Sequence, residues 1–260
     1  MNEEKSQKIL AVLIDADNTS PKIVDRLFTE IAKYGVVMAK RIYGDWTSPQ
    51  LKGWKEVLLD YAIIPIQQFS YTRGKNATDS ALIIDAMDLL YSDRFDGFCI
   101  VASDSDYTRL ASRIREQGLF VYGFGDRKTP SPLVTACDRF IYSEILVEAE
   151  EGEPSKVVEG KSLRSDTKLV TLLRDAVDSN ADEQGWSYLG AVGQHISNVS
   201  PSFDSRNYGY QKLGELIAAV GLFEVDNRPV EGKPGNKTIY IRHKPRRSRS
   251  KRSVSTSTPK

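Results

Sequence analysis

Histidine is almost missing from this sequence: only His195 and His243 occur among 260 residues. Neither is near the acidic motifs singled out below, so a histidine general base has no support there. Cysteine is as scarce. Cys99 falls in an apolar run and Cys137 near a helix end, and two such residues make neither a disulfide framework nor a zinc site. A reducing cytoplasm is therefore the expected compartment. No apolar run approaches the roughly 20 residues a membrane span needs, so no membrane partner is expected. Residues 1–8 are polar, unlike a signal peptide. A glycine-rich loop ending in Gly-Lys-Ser/Thr is also missing, which leaves ATP chemistry little support.

What the chain does hold is material for a core and an uneven charge. Apolar residues make up 40% of it, enough for one large domain or two modest ones. The 36 Lys and Arg nearly cancel the 35 Asp and Glu. Locally they do not. Glu148, Glu150, Glu151 and Glu153 crowd one stretch, whereas residues 242–260 carry eight Lys or Arg and no acid. Such a tail reads either as a solubilising disordered segment or as a weak, salt-sensitive tether to a polyanion such as RNA.

Strand and helix patterns alternate through the first half. Apolar residues 9–14 read as a strand, then 21–34 as a helix with Ser20 as cap and Pro21 at its first position. Strands follow at 36–43, 62–67, 98–103 and 119–124, separated by helices at 51–61, 78–91 and 107–117, the last stopped by Gly118. The alternation predicts an α/β domain, a parallel sheet with helices on both faces. Residues 146–164 lack apolar periodicity and contain Gly152, Pro154 and Gly160, the marks of a linker, here an acidic one. Beyond it, helices at 166–180, 189–199 and 208–220 and a two-stranded ribbon at 222–225 and 238–241 suggest a small winged-helix module over 165–243. Residues 244–260 remain as the basic tail.

Two apolar runs break off into aspartate pairs: Ile14 into Asp15-Ala16-Asp17-Asn18, and Ser103 into Asp104-Ser105-Asp106. In a parallel sheet, ligands bind outside the carboxyl ends of the strands, where strand order switches direction. If strands two and three wind outward on one side, strand four lies beside strand one and Asp15 and Asp104 meet at that switch. Asp79, opening the next helix, stands on the same edge, and Asp106 completes a set of four. Converging carboxylates repel unless a cation lies between them, so the pattern asks for Mg²⁺ or Mn²⁺. Such an ion activates water and stabilises phosphoryl charge without histidine. Taken singly, each aspartate has an ordinary role: Asp79 and Asp106 at helix starts, Asp104 as a cap. Asp85 and Asp88, mid-helix, are expected in a solvated stripe.

Asp15-Ala16-Asp17-Asn18-Thr19 matches the DxDxT of haloacid-dehalogenase-type phosphatases, whose first aspartate attacks phosphorus, but no partner lysine follows a Ser/Thr strand end. A longer ordered set explains more. Ile14-Asp15-Ala16-Asp17-Asn18, Lys75-Asn76-Ala77-Thr78-Asp79 and Ala102-Ser103-Asp104-Ser105-Asp106-Tyr107 together resemble the NYN domains, relatives of PIN nucleases. Asn76 stands where that family usually has glycine, and the likeness covers roughly residues 8–145. Downstream, Gly185-Trp186, Leu189-Gly190, Phe203-Asp204 and Asn207-Tyr208-Gly209-Tyr210-Gln211-Lys212-Leu213 are similar to an OST-HTH (LOTUS) domain.

The first resemblance implies a PIN-like fold and a metal-dependent endoribonuclease, a hydrolase of phosphodiester bonds. Asp15, Asp79 and Asp104, with Asp106 fourth, would hold one or two Mg²⁺ or Mn²⁺ ions, and Asn18 would orient a water or phosphate. Arg41, Arg73 and Lys75 are candidates to hold the RNA backbone beside them. The second resemblance implies RNA binding, and in some members a protein partner. There Trp186, Leu189, Phe203, Leu213, Leu216 and Ile217 are expected in the core. Arg206, Tyr208, Tyr210 and Lys212 are expected to stay partly exposed for RNA bases and phosphates. An inactive nuclease fold acting as an RNA-binding regulator is the alternative.

Overall fold

The computed structural model describes residues 7–69, 77–148, 157–229 and 237–244. They fall into two compact units, residues 1–158 with 193–213, and residues 159–192 with 214–260.

The first unit is built on six strands: β1 (Ile9–Asp15), β2 (Val36–Gly44), β3 (Ile64–Gln67), β4 (Gly97–Val101), β5 (Phe120–Gly125) and β6 (Arg139–Tyr142). All adjacent pairs are parallel, in the order β3-β2-β1-β4-β5-β6. The chain therefore winds outward from β1 through β2 and β3, then returns to place β4 on the other side of β1. This is the reversal anticipated from the two aspartate-ended runs. The last strand, β6, was not foreseen: four residues on a sheet edge carry too little pattern to register.

Both faces of the sheet are covered, so the central strands are apolar along their length. Leu10, Val12 and Ile14 of β1 point into a core with Val24, Leu27 and Ile31 of α1 (Val24–Ile31), Trp54 of α2 (Lys52–Val57) and Leu146 of α6 (Ser143–Glu148). Ala11 and Leu13 point the other way. They meet Leu82 and Ala86 of α3 (Ala77–Leu90), Leu110 and Ile114 of α4 (Thr108–Glu116) and Leu133 of α5 (Ser131–Ala136). Trp54 is buried and its indole N–H donates to the Thr19 carbonyl at 2.9 Å, pinning the loop after β1. The helix expected from residue 21 begins instead as a 3-10 turn, Pro21–Ile23, capped by the Ser20 hydroxyl. Gly118, at φ 80°, ends α4 in the left-handed conformation that glycine adopts without penalty.

The second unit contains α7 (Gly160–Ser165), α8 (Thr167–Asp178), the start of α9 (Leu189–Val199), α10 (Leu213–Val220) from Gly214 onward, and a small antiparallel sheet. Within the stretch expected as a linker, Gly160–Ser165 is helical with Leu163 buried, and residues 149–156 lie outside the described residues. Three expectations are corrected beyond it. The ribbon has three strands, because β7 (Ser187–Tyr188) adds to β9 (Lys237–His243), which pairs with β8 (Phe223–Pro229) on its other side. No helix starts at Tyr208: Ser205–Tyr208 is a 3-10 turn closed by left-handed Gly209, and α10 begins at Leu213. Finally, Leu216 and Ile217 are buried as expected, but Trp186, Leu189, Phe203 and Leu213 are only half-buried. Among the described residues, no helix is long and apolar enough to cross a membrane.

Candidate active site

β1 and β4 end side by side, with Ile14 opposite Val101, and the segments beyond them carry the acidic side chains. Asp15, the last residue of β1, is completely buried. One of its oxygens accepts the Asp17 backbone N–H at 3.0 Å and the other the Asn18 side-chain amide at 2.9 Å. Asn18, expected to orient water or phosphate, thus has its amide on Asp15. Asp79 stands in the first turn of α3 with only 9% exposure. Asp104 follows β4 and caps the 3-10 turn Ser105–Tyr107, accepting the Asp106 backbone N–H at 3.0 Å. The capping role and the site role therefore coexist in one residue.

Asp79, Asp104 and Asp106 each offer an oxygen, and these lie within 4.8 Å of one another. Asp15 is not part of that trio. Its link to it is Tyr107, a fully buried side chain whose hydroxyl lies 2.6 Å from Asp79 and 3.3 Å from Asp15. A tyrosine has one hydroxyl hydrogen, and the short contact assigns it to Asp79. The Asp15 contact is then satisfied when Asp15 itself carries a proton. Burial favours that state: it pushes the Asp15 carboxyl up, against the Asn18 and Asp17 bonds, and Asp79 and Asp17 push it further. The Asp79 carboxyl is raised as well, by burial first and then by Asp104, Asp106 and Asp17, against the Tyr107 bond.

Sequence reasoning missed two participants. Tyr107 ends the third motif, but nothing in a linear pattern says that its hydroxyl turns back between two carboxylates. Asp17 accepts the Thr78 hydroxyl at 3.0 Å, tying the loop after β1 to the start of α3. An Asp-x-Asp pair was the available signal for it.

The expected cations fare differently. Arg41 is paired with Asp85, which also accepts from the Tyr43 hydroxyl, so Asp85 is a half-buried partner and not the solvated residue expected; Asp88 is exposed. Arg73 and Lys75 lie outside the described residues. Arg206 is clamped by Glu30 at 2.8 Å and Asp204 at 2.7 Å, all within the first unit. Tyr210 donates its hydroxyl to the Val158 carbonyl at 2.9 Å, Tyr208 is half-buried, and Lys212 is exposed.

Three carboxylates with no nitrogen or sulfur donor among them form a hard-oxygen set, which suits Mg²⁺ or Mn²⁺ and not a soft ion. Comparison with known proteins finds two family matches in succession along the chain. The model of the NYN domain matches residues 9–145, and that of the OST-HTH/LOTUS domain residues 162–234. No functionally curated protein matches. Among solved structures, a protein of unknown function from Vibrio parahaemolyticus is 18% identical, with a TM-score of 0.44 over 53% of this chain and 94% of that one. An uncharacterised protein from Nitrosomonas europaea is 37% identical over 28% of this chain and 70% of its own, with a TM-score of 0.26. A Chromobacterium violaceum fragment is 28% identical over 29% and 78%, with a TM-score of 0.24.

Proposed function

The chain belongs to the NYN domain family and carries an OST-HTH/LOTUS domain behind that domain, and from this premise we propose that it is a divalent-metal-dependent endoribonuclease. Its two domains are of nuclease and RNA-binding type. The observation that carries the finer reading is the trio of Asp79, Asp104 and Asp106 oxygens within 4.8 Å at the switch point of a parallel sheet. In this reading those three residues hold the ion, which when bound supplies Lewis acidity toward a phosphoryl oxygen and activation of water. Asp15 acts from behind: through Tyr107 it fixes the orientation of Asp79. Asn18 keeps Asp15 in place. The second domain binds the RNA substrate, and the basic tail adds affinity without selectivity.

The phosphatase reading loses ground on geometry. Asp15 has no exposed surface and both its oxygens are engaged, so it has no path to a phosphorus atom. The test is cleavage of labelled single-stranded RNA in Mn²⁺ and then in excess chelator, alongside an Asp104→Asn variant. Cleavage that stops with chelator and with the variant is the expected result. Wild-type binding to RNA without any cutting would favour the inactive regulator.

A further inference from the structure

The outward face of the small sheet in the second unit carries an unusual surface. Trp186 and Tyr188 from β7 and the residue before it, Tyr240 and Arg242 from β9, and Arg228 from β8 all stand on that side. The strand register confirms this: Tyr188 pairs with Tyr240, while Ser187 pairs with Ile241, and both of those are buried on the opposite face. The planar groups interleave. The Arg228 guanidinium lies 4.1 Å from the Tyr240 ring centre and 5.2 Å from that of Trp186. Arg242 lies 4.5 Å over Trp186, and the Tyr188 and Tyr240 rings are 6.0 Å apart. Tyr188 keeps 49% of its surface in solvent.

We propose that this face is a stacking platform for the unpaired bases of single-stranded RNA. The inference rests on the reading of the second domain as RNA-binding and adds the surface by which it binds. Two observations favour bases over phosphates as what it touches. Each arginine already has an acid beside it, Asp226 at 2.9 Å for Arg228 and Glu224 at 2.6 Å for Arg242, so the face is close to neutral and is a poor phosphate trap. What it offers is flat π and guanidinium surface, which every nucleobase can stack on, and which a duplex, with its bases already stacked, cannot use. The phosphate charge has its own counterpart in the sequence. The chain continues from Arg242 into Lys244, Arg246, Arg247, Arg249, Lys251 and Arg252 with no acid. Base stacking and charge attraction are thus assigned to neighbouring stretches.

The experiment uses the full chain in chelator, so that nothing is cut, and a short fluorescent single-stranded RNA read by anisotropy. Tyr188→Ser is expected to weaken binding about 5- to 100-fold. Tyr188→Phe should bind like wild type, because it keeps the ring. The slope of log affinity against log salt should stay unchanged in Tyr188→Ser, since no cation is lost, and should fall when the chain is cut after His243. Arg228→Lys keeps the charge beside Asp226 but removes the plane, so it should also lose several-fold, and it decides the matter if Tyr188→Ser melts early. Wild-type affinity in both Tyr188→Ser and Arg228→Lys would overturn the platform while leaving RNA binding standing, and would hand the face to a protein partner. No binding by the wild-type chain would overturn the RNA-binding reading itself, and the platform with it.

Discussion

Tyr107 sets the chemistry of the acidic site with a single proton. Its hydroxyl is committed to Asp79 at 2.6 Å, and Asp15 approaches the same oxygen at 3.3 Å. Tyr107→Phe removes that hydroxyl without changing the ring that fills the core. The expected outcome is a loss of about 10- to 100-fold in Mn²⁺ affinity, the usual cost of removing a group that orients a ligand. Mn²⁺ titration of RNA cleavage measures it, and an unchanged midpoint would reject the link. Asp104→Asn should abolish cleavage yet leave the metal-free protein at least as thermally stable. Asp104 is the first of the like charges acting on Asp79, so its neutralisation relieves repulsion. A melting temperature well below wild type would show that Asp104 is needed for structure. At this scale the sequence disclosed the carboxylates, because strand ends bearing aspartate pairs are visible in a linear pattern. It could not disclose that Asp15 turns inward, since burial at a strand end depends on what packs over it.

At the scale of elements, legibility followed length and periodicity. β1 and β4, apolar on both faces, were plain, as was their adjacency once the crossovers were counted. The four-residue β6 and two-residue β7 were invisible, because so few residues show no alternation. The helix read from residue 208 failed for a local reason: Gly209 takes a left-handed φ of 83° and breaks what apolar spacing alone would continue. Caps were easier, and Ser20 and Asp104 both cap the turns that follow them. Asp166, read only as part of the next helix, accepts the Leu169 backbone N–H at 3.0 Å at the start of α8. Asp166→Ala should cost about 1 kcal/mol, as removal of such a cap does. Chemical denaturation of the variant checks this, and a change within error would mean that α8 is held by its packing alone.

For the first unit as a whole, pH acts from two directions. Glu30 is almost fully buried, and burial alone would raise its carboxyl. Bonds from Arg206 and Lys33 outweigh that and hold it down at about 2. A carboxyl lower in the folded than in the unfolded chain stabilises the fold above its unfolded value of about 4.5, and that stability drains away as pH falls toward 2. Asp15 and Asp79 have the opposite sign. Raised in the folded state, they favour folding in acid and cost stability as pH rises through their folded values, until a divalent ion offsets them. Thermal melts in chelator should therefore show stability falling on both the acid and the alkaline side of a maximum, with Mn²⁺ restoring only the alkaline side. Arg206→Ala leaves Glu30 its Lys33 bond, so it should shrink the acid-side protection and cost about 1.5–3 kcal/mol, the worth of hydrogen bonds to a charged group. Melts that ignore pH in chelator would reject both assignments.

The two cysteines give this unit a built-in clock. Cys99 lies at the centre of β4 and Cys137 just past α5, and both are free and buried. Burial pushes both thiols up, Cys137 to about 12, so neither is a thiolate at neutral pH. Alkylation by iodoacetamide has to wait for the sheet to part, and its rate then reports how often that happens. Each labelled molecule records one opening that a melting curve would average away. Divalent ions bound at the edge of β1 and β4 should slow the labelling of Cys99, some distance along the same strands, although they touch no sulfur at all.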